Sequence, residues 1–112
     1  MELFKSAIEK DPANAKAWNN QAWILLNGPT VDLERALQAV EKSLELAPDD
    51  FRFRETRGQI FVRLSRWEEA IEDLEFAANA LPGSREIHQA LASAYDALGN
   101  AELADVHRRR GE

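Results

Sequence analysis

The sequence of 112 residues has no cysteine, only five glycines and four prolines, and no long apolar run. Without cysteine, the chain cannot form disulfides, thiolate nucleophiles or zinc fingers. The cellular compartment cannot be predicted from cysteine usage. A membrane helix needs roughly 20 apolar residues in succession, so we expect no membrane span. Residues 1–10 carry too many charges to form the core of a signal peptide.

Basic residues are also scarce, since fourteen Lys and Arg stand against twenty Asp and Glu and leave a net charge of -6. Affinity for phosphates comes largely from Lys and Arg that displace counterions, so we do not expect a nucleic-acid partner. With 45% apolar and 30% charged residues, the composition is typical of a folded, soluble protein. The length allows one domain or a short array of repeats and excludes a multidomain enzyme.

Groups that support catalysis or bind metal are few. His88 and His107 are the only histidines, and neither lies in a spacing that places two imidazoles on one metal. We expect His88 to pack beside the core and His107 to face solvent. Five carboxylates are expected to form one solvated helix face: Glu68, Glu69, Glu72, Asp73 and Glu75. The sequence therefore predicts no enzyme, no cofactor and no metal site.

Glycine and proline divide the chain into stretches of ordinary helix length, and apolar residues recur within them at helical spacing. Ser65 with Glu68 forms a capping-box pattern that predicts a helix start near Arg66. Ser84 and Asn100 are the expected caps of the next two helices, and Gly99 suits a left-handed position. The sequence predicts no strand and seven helices, over residues 2–10, 14–27, 32–46, 51–64, 67–80, 85–98 and 101–110.

A recurrent internal spacing organises these helices. The same interval relates Pro48 to Pro82, Ala36 to Ala70 and Ala70 to Ala104, Gly58 to Ala92, and Phe61 to Tyr95. A small residue at a fixed offset allows the two helices of a hairpin to approach closely, and a proline ends the second helix. The pattern indicates stacked helical hairpins, none of which buries its apolar face alone.

These small, large and proline positions resemble the tetratricopeptide repeat family, whose unit is a helix-turn-helix of about 34 residues. The resemblance implies an all-α, right-handed α-solenoid of about seven helices. Residues 1–14 resemble the second half of an incomplete repeat, 15–50 a first repeat with a turn two residues longer, 51–84 a second repeat, and 85–112 a third with a C-terminal capping helix. We therefore expect a fragment of a longer array, similar to bacterial members around Trp18 to Trp23.

Four residues depart from the family pattern. Arg54 and His88 stand where the family usually has a large apolar residue, and Gln21 and Arg57 replace a usual aliphatic one. The arginine-rich helix over 51–64 precedes the acidic helix over 67–80 in the same hairpin. We therefore expect Arg63 or Arg66 to pair with the acidic face, rather than with nucleic acid.

The resemblance places a concave groove on the first helix of each hairpin. Amides there would satisfy the backbone of an extended peptide, Arg52 and Arg63 would bind a carboxylate, and Trp23 would anchor an apolar group. The alternative is that surface helices carry such residues anyway and that Trp23 packs on a neighbouring hairpin. The implied groove residues are Lys16, Asn19, Asn20, Trp23, Arg52, Glu55, Thr56, Gln59, Arg63, Gln89, Ser93 and Asp96.

We therefore expect a non-catalytic module, or scaffold, that binds a protein or peptide partner in this groove. The partner's identity, the organism and the parent protein do not follow from the sequence. The chaperone-binding subgroup needs a Lys where Asn19 stands and an Asn where Trp23 stands, so that partner is not expected. The competing hypothesis is a structural spacer that forms a homodimer through Leu3, Phe4 and Ile8 of an uncovered first helix.

Overall fold

The computed structural model describes residues 14–112, and every regular element in that range is a helix. The six helices agree with the predicted bounds to within one residue. The helix predicted over 2–10, with the apolar residues of the homodimer hypothesis, lies outside the described residues. The helices are α1 (Ala15–Asn27), α2 (Leu33–Leu46), α3 (Phe51–Arg63), α4 (Trp67–Ala80), α5 (Arg85–Ala97) and α6 (Ala101–Arg110).

Short polar side chains start most of these helices by accepting a hydrogen bond from an amide of the first turn, which has no partner within the helix. Asn14, Asp32 and Asp50 do so for α1, α2 and α3. The predicted caps Ser84 and Asn100 are confirmed for α5 and α6, where they accept from the amides of Ile87 and Leu103.

The capping box predicted at Ser65 is wrong. Helix α4 begins at Trp67, and Arg66 precedes it without a capping side chain. Ser65 instead adopts a φ of 59°, in the left-handed region, and ends α3 just as Gly99, with a φ of 79°, ends α5. The amide of Arg66 donates to the Phe61 carbonyl over 2.9 Å, which closes this turn.

The helices pair as three antiparallel hairpins, α1 with α2, α3 with α4 and α5 with α6, and each hairpin stacks on the next. The described part measures 47 × 27 × 22 Å, so it is elongated along the stack. Helix α1 contacts α3, and α3 contacts α5, whereas α2, α4 and α6 do not contact one another. The first helices are therefore closer together and line the inner side of the stack.

The interior of the hairpins explains the small residues of the repeat. A Cβ atom added to Gly58 would lie 2.7 Å from Cγ and 2.9 Å from Cδ2 of Leu74, which is fully buried. Real Cβ atoms do not approach so closely, so α3 and α4 pack at a distance that only glycine allows. Ala22 and Ala92 occupy the equivalent buried positions in the other hairpins.

Two expectations about polar residues are wrong. Asp73 was expected on a solvated face and His107 was expected to face solvent, but they are 1% and 4% exposed. Asp73 lies one repeat interval after the buried Ala39 and His107 lies two, so both point into their hairpin. Repeat position, rather than residue polarity, decides their burial. The expected burial of His88 is confirmed at 1% exposure.

Candidate functional site

The inner side of the stack contains an open pocket of about 320 Å³ to which all three hairpins contribute. Because α1, α3 and α5 lie side by side, residues far apart in sequence meet at its walls. The apolar part comes from α1 and Ala90, whereas charged and amide groups come mainly from α3 and α5. The lining residues are Trp23, Leu26, Asn27, Gln59, Arg63, Glu86, Gln89, Ala90 and Ser93.

The pocket gathers the predicted groove residues Trp23, Gln59, Arg63, Gln89 and Ser93. The prediction missed Leu26, Asn27, Glu86 and Ala90. Helical spacing offered a signal for Glu86, which lies three residues before Gln89 and hence on the same face of α5. Leu26 gave no such signal, because its side chain belongs to the core and only its edge reaches the pocket.

The other predicted groove residues do not line the pocket. Asn19 and Thr56 are 8% and 1% exposed, and the Thr56 hydroxyl donates to the Arg52 carbonyl over 3.0 Å. The Thr56 hydroxyl is therefore used within its own helix, whereas the buried Oδ1 atom of Asn19 has no hydrogen-bond partner within residues 14–112. Lys16, Asn20 and Glu55 lie on the first helices beyond the pocket walls.

Ion pairs within the chain involve two more of these residues. The Arg52 guanidinium binds the Asp50 carboxylate through contacts of 2.8 and 3.1 Å. The Asp96 carboxylate accepts from Arg108 over 2.6 Å. Both groups thus have a partner within the chain, and the binding of a ligand carboxylate by Arg52 stays a prediction.

Arg63 differs from most arginines of its helix. Its Nη1 atom lies 3.5 Å from the Leu26 carbonyl, and no carboxylate within residues 14–112 forms an ion pair with it. A hydrogen bond of that length is weak. The guanidinium lies at the wall of the pocket that Trp23 also lines. Most of its N–H donors are therefore available to a bound acceptor.

The opposite part of the inner surface is acidic. Burial raises the pKa of Glu55 above its ordinary value, and the nearby Glu86 carboxylate adds to the shift by repulsion. Gln59 lies between these charges and Arg63, and its amide donates to the Glu86 carbonyl over a long 3.5 Å. The pocket thus has a cationic wall, an acidic wall and amides that bind either a donor or an acceptor.

The other arginines of α3, and Arg66 in the turn that follows it, are used inside the chain. Arg54 and Arg57 both bind the buried Asp73 carboxylate, at 2.6 and 2.7 Å. The expected pairing with the acidic helix is confirmed for Arg66, which binds Glu69 at 2.6 Å, whereas Arg63 makes no such pair. Carboxylates of the same chain therefore neutralise most of the positive charge of the arginine-rich helix. This gives no support to a phosphate-binding surface.

A second cavity, of about 220 Å³, lies on the other side of the chain between α2, α3 and α4. Its lining includes the Arg57–Asp73 and Arg66–Glu69 pairs, and the Arg66 guanidinium lies 4.6 Å from the centre of the Phe61 ring. These groups satisfy one another, whereas the Glu41 and Glu72 carboxylates also line the cavity and form no ion pair within residues 14–112.

Two chemical features are not found in the described part of the chain. Across residues 14–112, no group of three or more His, Asp or Glu side chains is arranged to hold a metal ion. None of the six helices is long and apolar enough to cross a membrane.

Sequence comparisons identify the repeat. The family model for the tetratricopeptide repeat matches residues 30–96, more than half of the chain, and a second model with the same description matches residues 3–38. Protein O-mannosyl-transferase TMTC3 of Homo sapiens is 34% identical over 80 residues, which are 71% of this chain but only 8% of TMTC3. Transferase activity is a property of that much longer protein, and the absence of catalysis here stays a prediction.

Solved structures of MamA share the fold. MamA AMB-1 in crystal form P212121 has a TM-score of 0.77 at 24% identity, and the match covers 98% of this chain and 59% of that one. MamA MSR-1 in crystal form C2 has a TM-score of 0.75 at 25% identity, with 98% and 62% covered. The chain thus spans less than two thirds of these MamA chains. The likeness confirms the predicted all-α solenoid.

Proposed function

Because the chain belongs to the tetratricopeptide repeat family, we propose that it binds an extended segment of a protein partner in the pocket between α1, α3 and α5. Family and fold support a protein-protein interaction module in general. The observation that carries the specific proposal is the position of Arg63, a guanidinium without an ionic partner in the described chain, at the wall of a pocket beside an exposed tryptophan.

The pocket suits an extended peptide because its groups come from three rigid helices. The Gln59 and Gln89 amides make only long contacts of 3.5 Å within the chain, so they are free to bond a peptide backbone. Since the helices are already packed, the entropy cost of ordering falls mainly on the ligand. A helical stack of this kind therefore binds without rearranging its own backbone.

The side chains on the pocket walls restrict which peptide sequences can bind. Arg63 would bind a carboxylate of the segment, because guanidinium and carboxylate form paired hydrogen bonds. Trp23 is 38% exposed, and its ring with Ala90 offers an apolar contact for a neighbouring side chain. Glu86 on the facing wall disfavours a second acidic group there. We propose a segment with one acidic residue beside a large apolar one.

An array of ten-residue peptides that vary in charge and apolar content tests this assignment. We expect the chain to select peptides with a carboxylate next to a large apolar side chain, with binding at least tenfold weaker for Arg63→Gln, about the value of one charged hydrogen-bonded pair. Arg35→Gln, which changes an exposed arginine of α2, is the matched control and should bind as the parent does.

The outcome of that array decides the proposal. Equal binding by Arg63→Gln and Arg35→Gln would remove the site from this pocket. Selection of basic peptides would move the site toward Glu55 and Glu86. The homodimer hypothesis is separate, and light scattering over the micromolar range tests it, since a monomer throughout would exclude it.

A further inference from the structure

The third hairpin contains a buried pair of imidazoles that the proposed groove does not use. His88 of α5 and His107 of α6 are 1% and 4% exposed, and their Nδ1 atoms lie 3.0 Å apart. The two ring centroids lie 5.2 Å apart, so the rings meet edge to edge through these nitrogens, and the Tyr95 ring lies nearly parallel to His107 with centroids 5.6 Å apart. The contact joins the last helix to the rest of the array.

The hydrogen bonds fix where the protons lie. The Pro82 carbonyl lies 2.6 Å from Nε2 of His88 and only accepts, so Nε2 of His88 carries a proton. Neutral His88 then has a lone pair on Nδ1, which accepts from Nδ1–H of His107. One proton therefore lies between the two rings, and a second would place two N–H donors face to face.

The surroundings of His107 include charges of both signs. From α4, the Glu75 carboxylate lies 3.6 Å from Nε2 of His107 and also accepts from the Tyr95 hydroxyl over 2.9 Å. From α6 itself, Arg110 repels a protonated ring. Burial is the largest influence and lowers the pKa of His107, Glu75 opposes that shift, and His88 and Arg110 add to it. The folded hairpin thus favours the neutral ring.

From this geometry we propose that His88 and His107 form an acid-sensitive latch, which holds α6 on the array in neutral solution and releases it in mildly acidic solution. A neutral His107 suits this buried site, whereas a proton on its Nε2 places a charge there that only Glu75, 3.6 Å away, compensates. Helix α6 packs against only one other helix backbone, that of α5, so it can open without unfolding of α1 to α4.

The direction of the pH effect follows from linkage. The pKa of His107 is lowered in the folded state, so the released helix binds a proton more readily than the docked helix. Docking is therefore complete above the ordinary histidine pKa of about 6.5 and weakens as the pH falls below it. One linked proton changes the opening constant by at most tenfold per pH unit.

Hydrogen exchange on the full chain tests the latch. We expect the opening constant of amides in residues 101–110, after correction for the intrinsic pH dependence of exchange, to rise by up to about fivefold between pH 6.5 and 5.5. It should change by no more than about twofold between pH 7.5 and 6.5, and amides of α1 to α4 should not change. Equal protection of residues 101–110 at pH 7.5 and 5.5 would overturn the proposal.

Two variants separate His107 from other titrating groups. His107→Phe keeps an aromatic ring beside Tyr95 but binds no proton, so its opening constant should not vary over this range. Glu75→Gln still accepts from the Tyr95 hydroxyl but no longer attracts a protonated ring, so release at pH 5.5 should be greater than in the parent. Acid sensitivity that persists in His107→Phe, or that disappears in Glu75→Gln, would contradict the latch.

A direct measurement does not depend on how the variants fold. Nuclear magnetic resonance of the His107 ring in the parent chain reports its protonation directly. We expect the ring of His107 to titrate below the ordinary histidine range, together with the loss of α6 protection. A ring that titrates at about 6.5 or above while α6 stays docked would overturn the proposal.

Discussion

The second and third hairpins place different polar pairs at the same position of the repeat. In the second hairpin Arg54 binds Asp73 at 2.6 Å, and one repeat later His88 meets His107 at 3.0 Å. The first hairpin has Trp18 and Ala39 there. The backbone arrangement therefore accepts an aromatic residue, an ion pair or an imidazole pair, provided that each buried polar group has a partner.

The two polar pairs differ in what they add to the molecule. Arginine and aspartate side chains ordinarily keep their charges between pH 5 and 8, whereas histidine ordinarily titrates within that range. The second hairpin has the further support of Arg57, which binds the same carboxylate through contacts of 2.7 and 2.9 Å. The comparison predicts that the stability of the second hairpin depends on its buried charges, and that the docking of α6 in the third hairpin depends on pH.

The largest expected effect comes from removal of the charge at the centre. Asp73→Asn leaves Arg54 and Arg57 without their shared carboxylate, and breaking such a buried pair costs about 3 kcal/mol. Urea denaturation at pH 7.5 should show this loss in the free energy of unfolding. Glu72→Gln, one residue earlier on the exposed face, makes the same change in charge and should leave the stability unchanged. Equal stability of the two variants would show that the ion pair is not needed.

A smaller effect is expected at the close contact of the second hairpin. Gly58→Ala would add a Cβ 2.7 Å from Leu74, and such overpacking costs about 2 kcal/mol even though alanine favours helix. In the third hairpin, Arg108 replaces Leu74 and is exposed, so alanine fits at position 92. Ala92→Gly should therefore lower the melting temperature as well. If Gly58→Ala raised it, the close approach would not limit this position.

The repeat period predicted the helices, their bounds and the stacked arrangement, because backbone pattern and apolar spacing are local properties. It did not predict the burial of Asp73 and His107, although both align with the buried Ala39. Polarity argued for exposure, and only the partners Arg54 and His88, on another helix, make burial possible. The sequence also placed Thr56 in the groove, whereas its hydroxyl bonds within α3. Tertiary structure decides which side chains of different helices meet, and a single sequence does not specify those pairs.

The smallest effect separates the turns that end α3 and α5. Ser65 has a φ of 59° where Gly99 has a φ of 79°, and the left-handed region costs a residue other than glycine roughly 1–2 kcal/mol. Ser65→Gly removes that cost but gives the unfolded chain more freedom, so we expect a net gain of about 0.5 kcal/mol in urea denaturation. Gly99→Ser should lose about 1 kcal/mol, because it introduces the strain in the third hairpin. Changes of the same sign in both variants would show that backbone strain does not distinguish the turns.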